Sequence, residues 1–241
     1  MAVTTKAAEK AFINVFELLS RKQSYAETFT HFLDFSLFML SARTQEYYEQ
    51  FSYLEKIYTE EVEAKAMAEL YINWITIADD GGHGFRDAFG DLFMELISHG
   101  KNGQFFTPQP VCDMLARLNH GDDLKPGMPV CDPACGSGRT LLSMAKLERR
   151  LKFYGADTDI TCCKMTVLNM LVNSLEGEIA WMDSISLEHY RSWHIRNVPY
   201  VDGFVPVYTV TGAGETNFFR RKEMQGATEP PRQTTGQLKL F

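Results

Sequence analysis

The seven residues Asp132-Pro133-Ala134-Cys135-Gly136-Ser137-Gly138 stand between a short apolar run, residues 128–131, and a helical pattern, residues 139–150. A strand that ends on a carboxylate and turns through glycines into a helix opens a ligand crevice at the carboxyl end of an open α/β sheet. Gly136 and Gly138 remove side chains from that turn, so a ligand can approach the main chain. No Gly-Lys-Ser/Thr follows, which excludes a phosphate-binding P-loop. Two further carboxylates are spaced to face the same crevice. Asp157 closes the next apolar run, residues 153–156, about 20 residues past the glycines, where an acid accepts hydrogen bonds from ribose hydroxyls. Asp159 reads instead as the cap of the following helix. Asp183 closes a third apolar run, residues 179–182. It could accept from an exocyclic amine such as adenine N6, or be a simple loop aspartate. Gly103-Gln104-Phe105-Phe106-Thr107-Pro108 precedes another helix, with Pro110 suited to its first turn, and could bring Thr107 to the crevice.

These residues need a scaffold, and the periodicity supplies one. Strand, helix (139–150), strand, helix (160–174), strand predicts a parallel sheet with crossover helices. Residues 201–210 have strand-like composition. Before residue 100 the pattern is helical: residues 8–21, 25–40, 46–58, 61–78 and 85–98 repeat apolar side chains every three or four positions, with a glycine-rich loop over 79–84. The expected organisation is therefore a helical N-terminal domain (1–100), an α/β cofactor-binding domain (101–211) and a flexible, polar C-terminal tail (212–241).

Bulk properties narrow the class. The chain has 241 residues, 45% of them hydrophobic and 23% charged. No apolar run approaches the roughly 20 residues needed to span a bilayer. The N-terminus shows no secretory pattern, so a cytoplasmic protein without membrane contact is expected. The five cysteines are odd in number, and Cys162 and Cys163 are adjacent. No pair of Cys-x-x-Cys units could hold zinc, so reduced, mostly buried thiols and no metal are expected. A net charge of −7 argues against tight autonomous DNA binding. It leaves room for a local basic face or a partner that supplies the contacts.

Taken in order, these segments resemble the amino-methyltransferases of DNA modification, and most closely the modification subunit of type I restriction–modification systems. That family joins a helical N-terminal domain to the sequence Gly-Gln-Phe-Phe-Thr-Pro. Then come Asp-Pro-Ala-Cys-Gly-Ser-Gly, an acid after the second strand and Asp-Ser after the third, all present here. Residues 85–108 also resemble the helix that leads into Thr107 and Pro108. The resemblance covers about residues 60–187. It implies a Rossmann-like, S-adenosylmethionine-dependent methyltransferase core with an incomplete sheet. Thr107 and Pro108 would lie by the methionine moiety. Asp132, Pro133, Gly136 and Gly138 would line the cofactor, Asp157 would bind the ribose and Asp183 the adenine ring. The implied reaction is methyl transfer to N6 of adenine in DNA.

The family's catalytic tetrapeptide, Asn-Pro-Pro followed by an aromatic residue, is absent in that form. Asn197-Val198-Pro199-Tyr200 is the nearest candidate, with Asn197 and Pro199 to hold the target amine and Tyr200 to stack on a flipped base. Residues 191–196 before it do not read as a buried strand, and a chance loop sequence is the other reading. Few residues follow Tyr200, so the protein is expected to be a cofactor-binding relative without transfer activity or to be completed by a specificity or modification subunit. Finally, Gln237-Leu238-Lys239-Leu240-Phe241 resembles the peptide by which bacterial proteins dock onto the DNA polymerase sliding clamp. Gln237, Leu238, Leu240 and Phe241 would be its contacts, unless the tail is a chance match. Two functions stay open: a DNA adenine N6-methyltransferase-like protein, or an inactive, DNA-associated binding protein of the same fold.

Overall fold

Polar caps set the first helices. Thr4 Oγ1 accepts the Ala7 N–H and α1 runs Thr5–Leu19. Ser24 and Glu27 exchange hydrogen bonds in a capping box, and α2 runs Tyr25–Met39. The computed structural model describes residues 4–41, 44–98, 106–120 and 124–217. Residues 103–105 and the candidate clamp peptide, Gln237 to Phe241, lie outside the described residues.

The stretch expected as one helix over 46–58 is two, α3 (Gln45–Phe51) and α4 (Tyr53–Ile57). At the break, the Ser52 hydroxyl donates to the Glu49 carbonyl and competes with the helix backbone. α5 spans Glu61–Asp79. α6 begins at Ala88 and ends at Phe93, three residues later than the periodicity suggests. Gly84 and Phe85 have positive φ and Asp87 caps the helix, so it cannot start sooner. A single π-helical turn, Met94–Ser98, follows. Phe12, Phe16, Phe32, Trp74 and Phe89 are fully buried where these helices meet. The Trp74 and Phe89 rings lie 4.6 Å apart, and Phe12 meets Phe32 edge-on at 5.2 Å.

The second half contains α7 (Gln109–His120), β1 (Pro129–Asp132), α8 (Arg139–Leu147), β2 (Lys152–Asp157), α9 (Ile160–Val172) and β3 (Glu176–Met182). β4 (His189–Tyr200) and β5 (Gly203–Thr211) complete it. The sheet order is β1-β2-β3-β4-β5. β1, β2 and β3 are parallel, as the strand–helix alternation requires, whereas β4 and β5 return antiparallel. α9 is largely apolar and buried on several sides, with Cys163, Met165, Val167, Leu168 and Leu171 in the interior. It contacts the sheet on one side and α2, α5 and α6 on the other. One continuous apolar cluster therefore runs from the helices into the sheet. Polar ties reinforce it: Lys164 pairs with Asp34 at 2.6 Å, and the Tyr208 hydroxyl donates to the Leu37 carbonyl at 3.0 Å. Among the described residues no helix is long and apolar enough to cross a membrane.

β4 corrects the reading of residues 191–196 as something other than a buried strand. Ser192, Trp193 and Ile195 are buried there, as is His189 at the strand's start. The inward positions His189 and Ser192 are polar because they serve a buried carboxylate. Ser192 Oγ donates to Glu178 at 2.7 Å and lies 2.9 Å from His189 Nε2. An irregularity between Trp181 and Met182 leaves Tyr190 out of the register, so His189 and Ser192, three residues apart, fall on one face of the strand. Both effects erase the alternation that marks a strand.

Phe89 touches Phe29, Phe32 and Trp74 and has no exposure. Replacing it with alanine should lower unfolding free energy by about 3–5 kcal/mol in urea titrations, with an unchanged m-value if the native fold persists.

Candidate functional site

The carboxyl ends of β1 and β2 open onto one cleft of about 450 Å³, within the range of small-molecule sites. Phe106, Thr107, Asp132, Gly136, Asp157 and Thr158 line it. Asp132 Oδ1 accepts the Ala134 N–H at 3.0 Å, and its other oxygen takes the Thr140 hydroxyl. These bonds turn the chain sharply out of β1. The Cys135 N–H then donates to the Ala156 carbonyl at 2.9 Å, which lashes the turn to β2. Cys135 itself packs on Gly155, whose missing side chain would stand 3.2 Å from the Cys135 Cβ. Burial pushes the Cys135 thiol pKa well up, so this cysteine is a small neutral packing group.

Asp157 holds the turn from the other strand. Its Oδ2 accepts the Gly136 N–H at 2.9 Å, and its Oδ1 the Asp159 N–H at 2.9 Å. Burial raises its pKa, and these two N–H groups pull it back. Each oxygen keeps a further lone pair for a hydroxyl in the cleft. The two glycines meet protein rather than ligand. A Cβ on Gly136 would come 2.9 Å from the Phe106 ring, and one on Gly138 would come 2.9 Å from Thr166 Cγ2. Gly138 also has φ +87°, a conformation that ends the turn and opens α8.

Thr107, Asp132, Gly136 and Asp157 thus share one cleft, while the other expected cofactor contacts surround it. Pro133 and Gly138 stand in the same turn outside the lining. The Pro108 carbonyl accepts the Val111 and Cys112 N–H groups and starts α7. Asp183 sits beside the cleft, with Oδ1 accepting the N–H groups of Ile185 and Ser186. Those bonds hold its pKa below the usual range. Ser184 ties this turn to the cradle by donating to the Pro133 carbonyl at 2.7 Å.

Asn197, Pro199 and Tyr200 are a correction. A strand does lead through Asn197, but it is antiparallel. Ile195 pairs with Gly177, at the start of β3, so the residues beyond it lie at the sheet end opposite the cleft. The Asn197 N–H donates to Glu176 and its side chain to the Ser174 carbonyl. β3 has 7 residues, which separates Asn197 from the cleft by about 20 Å at roughly 3.3 Å per residue. These three residues do not meet a ligand held by Asp132 and Asp157.

Residues outside the sequence motifs complete the site. Asp87 is 2% exposed, and its carboxylate accepts from Ser137 Oγ at 2.5 Å and from Arg139 Nε at 2.9 Å. It also accepts from Asn169 Nδ2 and from the Gly90 N–H, each at 2.9 Å. Burial pushes its pKa up, while Arg139 and the neutral donors pull it down. An aspartate three residues before a glycine at a helix start reads as an N-cap, but nothing in that pattern names Ser137 or Asn169.

Gly138→Ala should destabilise the protein by about 2–4 kcal/mol, from positive-φ strain plus the collision with Thr166. Adding Thr166→Ser removes Cγ2 and keeps the hydroxyl that donates to the Gly136 carbonyl at 2.8 Å. The double variant should recover part of the loss in the same denaturation assay; no recovery would refute the contact.

Comparison with known proteins agrees with this geometry. The chain is 31% identical over 153 residues to the type I restriction enzyme MpnII methylase subunit of Mycoplasma pneumoniae, covering 54% of this chain and 27% of that protein. It is 32% identical over 137 residues to the MjaIX methylase subunit of Methanocaldococcus jannaschii, covering 50% and 24%. The chain thus spans about a quarter of the length of these relatives. A class I S-adenosylmethionine-dependent methyltransferase from Listeria monocytogenes superposes with a TM-score of 0.50 at 17% identity, covering 73% of this chain and 52% of that one. The fold is that of the S-adenosylmethionine-dependent methyltransferases, with a helical N-terminal region and a five-stranded mixed sheet. S-adenosylmethionine suits the cleft. Its net positive charge would be matched by Asp132 and Asp157 in the lining, and its ribose hydroxyls by the remaining lone pairs of Asp157. The N-6 DNA methylase profile matches residues 84–206, half of the chain, and the protein belongs to that family.

Proposed function

We propose that this protein binds S-adenosylmethionine in the cleft between β1 and β2 and takes part in the methylation of adenine N6 in DNA. The observation that carries the reading is the pair of strand-end carboxylates, Asp132 and Asp157, set on either side of a glycine turn. Asp157 accepts from the ribose hydroxyls. Asp132 and Gly136 border the middle of the cofactor, and Pro133 and Gly138 shape the turn that carries them. Thr107 and Pro108 border the methionine end, and Asp183 lies toward the adenine. When bound, S-adenosylmethionine supplies an electrophilic methyl group on its sulfonium sulfur. The chain's own part is to orient that sulfur against the strand-end carboxylates.

The group that grips the target amine comes from elsewhere. The relatives are named as subunits of type I restriction enzymes, so the proposed partners are DNA and a specificity or modification subunit, in the cytoplasm. The remote position of Asn197 favours a second reading, in which the protein binds the cofactor and DNA-associated partners without transferring the methyl group. The residues Gln237, Leu238, Leu240 and Phe241 are proposed as a contact for the sliding clamp. Deleting residues 237–241 should abolish clamp capture.

Calorimetric titration with S-adenosylmethionine tests the core proposal. Wild type should bind, and Asp157→Ala should weaken binding at least tenfold, about 1.4 kcal/mol. No binding by wild type would sink the proposal. Transfer of labelled methyl groups to DNA, with and without a modification or specificity subunit, separates the two readings. Incorporation only with the subunit supports a shared active site. Cofactor binding without incorporation in either case supports the non-catalytic reading.

A further inference from the structure

Within the cleft the glycine turn meets the Thr107 wall by packing, Gly136 against the Phe106 ring, and directional links between the two walls run outside it. The glycine turn has two residues at positive φ, and among its side chains Ser137 reaches out of the turn, to Asp87. The opposite wall, at Thr107, is held by a main-chain contact: Arg139 Nη1 donates to the Thr107 carbonyl at 3.3 Å. Both links converge on the segment that starts α6. Arg139 donates to Asp87 through Nε and to Asp91 through Nη2, at 2.9 and 2.7 Å. A cation in the first turn of α8 is opposed by the helix dipole, so its place there depends on these two aspartates. Gly90 leaves the room they need. A Cβ at that position would stand 2.0 Å from Asp87 Oδ2 and 2.7 Å from Ser137 Oγ.

We propose that Asp87, Gly90 and Asp91 form a positioning unit through which the N-terminal helices set the spacing of the cofactor cleft. Asp87 lies outside the cleft lining. It acts through Ser137, which anchors the glycine turn, and through Arg139, which joins that turn to the Thr107 wall. The unit is all-or-none in character, because a buried carboxylate stripped of one strong donor is far costlier than one fully paired. Asn169 makes the link continuous with α9: its amide donates both to Asp87 and to the Ser137 carbonyl. The inference rests on the proposed S-adenosylmethionine site for its functional meaning, although its structural content stands alone.

Hydrogen exchange on the cofactor-free protein tests it. In Asp87→Asn, amides over residues 133–140 and 106–112 should exchange at least tenfold faster, while those in α1 and α5 keep wild-type protection. Affinity for S-adenosylmethionine should fall at least tenfold in the same variant. Exchange that rises evenly across the chain, or a glycine turn as protected as in wild type, would overturn the proposal. Should Asp87→Asn not fold, Ser137→Ala and Asp91→Asn leave the Asp87–Arg139 pair in place, and the Asp91 side chain is 58% exposed. Ser137→Ala strips the buried Asp87 of a donor and should lower Tm as well as speed local exchange, whereas Asp91→Asn should give a local increase of about threefold without lowering Tm; no local increase in either overturns the idea. Because exchange is read without cofactor, failure of wild type to bind S-adenosylmethionine would refute the proposed function and leave this result intact.

Discussion

A carboxylate taken out of water must be met by donors, and Asp87 is met by four from four different places. Its own helix supplies one, the glycine turn another, α8 the third and α9 the fourth. The desolvation cost of the charge thereby becomes a constraint on assembly, because the helices and the α/β half must arrive together for the group to be satisfied. The apolar cluster supplies most of the driving force, through Phe12, Phe32, Trp74 and Phe89 on one side and α9 on the other. Such packing tolerates small slides, whereas four directional hydrogen bonds do not.

The polarity of the sheet decides what the cleft can reach. β1, β2 and β3 point the same way, so Asp132, Asp157 and Asp183 gather at one end. β4 runs back, and its carboxyl end carries Asn197 and Tyr200 to the other. A catalytic asparagine beside the cofactor would need its strand parallel to β1. With β4 paired to β3 instead, the chain keeps one half of a ligand crevice of the kind that forms where strand order reverses.

The hairpin beyond β3 also shows how a polar interior hides a strand. Glu178 is 1% exposed and is served by Ser192, Thr216 and the Asn217 N–H. Its neighbours on β4 must therefore be polar at inward positions. Hydropathy reads such a segment as loop, although its backbone pairs with β5 from Ser192 to Tyr200.

The sequence by itself determined the local features. Apolar spacing located the helices and the three parallel strands, because burial of one face imposes a period of 3.6 or 2. The order Asp132, Gly136 and Asp157 located the cleft between β1 and β2, since a strand-to-helix turn with a carboxylate on the neighbouring strand end is written within about 30 contiguous residues. Only the tertiary structure decided the rest. The direction of β4 depends on which strand it pairs with, and hence so does the place of Asn197. Phe106 and Thr166, rather than a ligand, fill the space that Gly136 and Gly138 leave. Asp87 meets Ser137 and Asn169 across 50 and 82 residues of chain. Contacts at that separation leave no periodic trace, because they are fixed by how whole elements pack and not by the residues beside them.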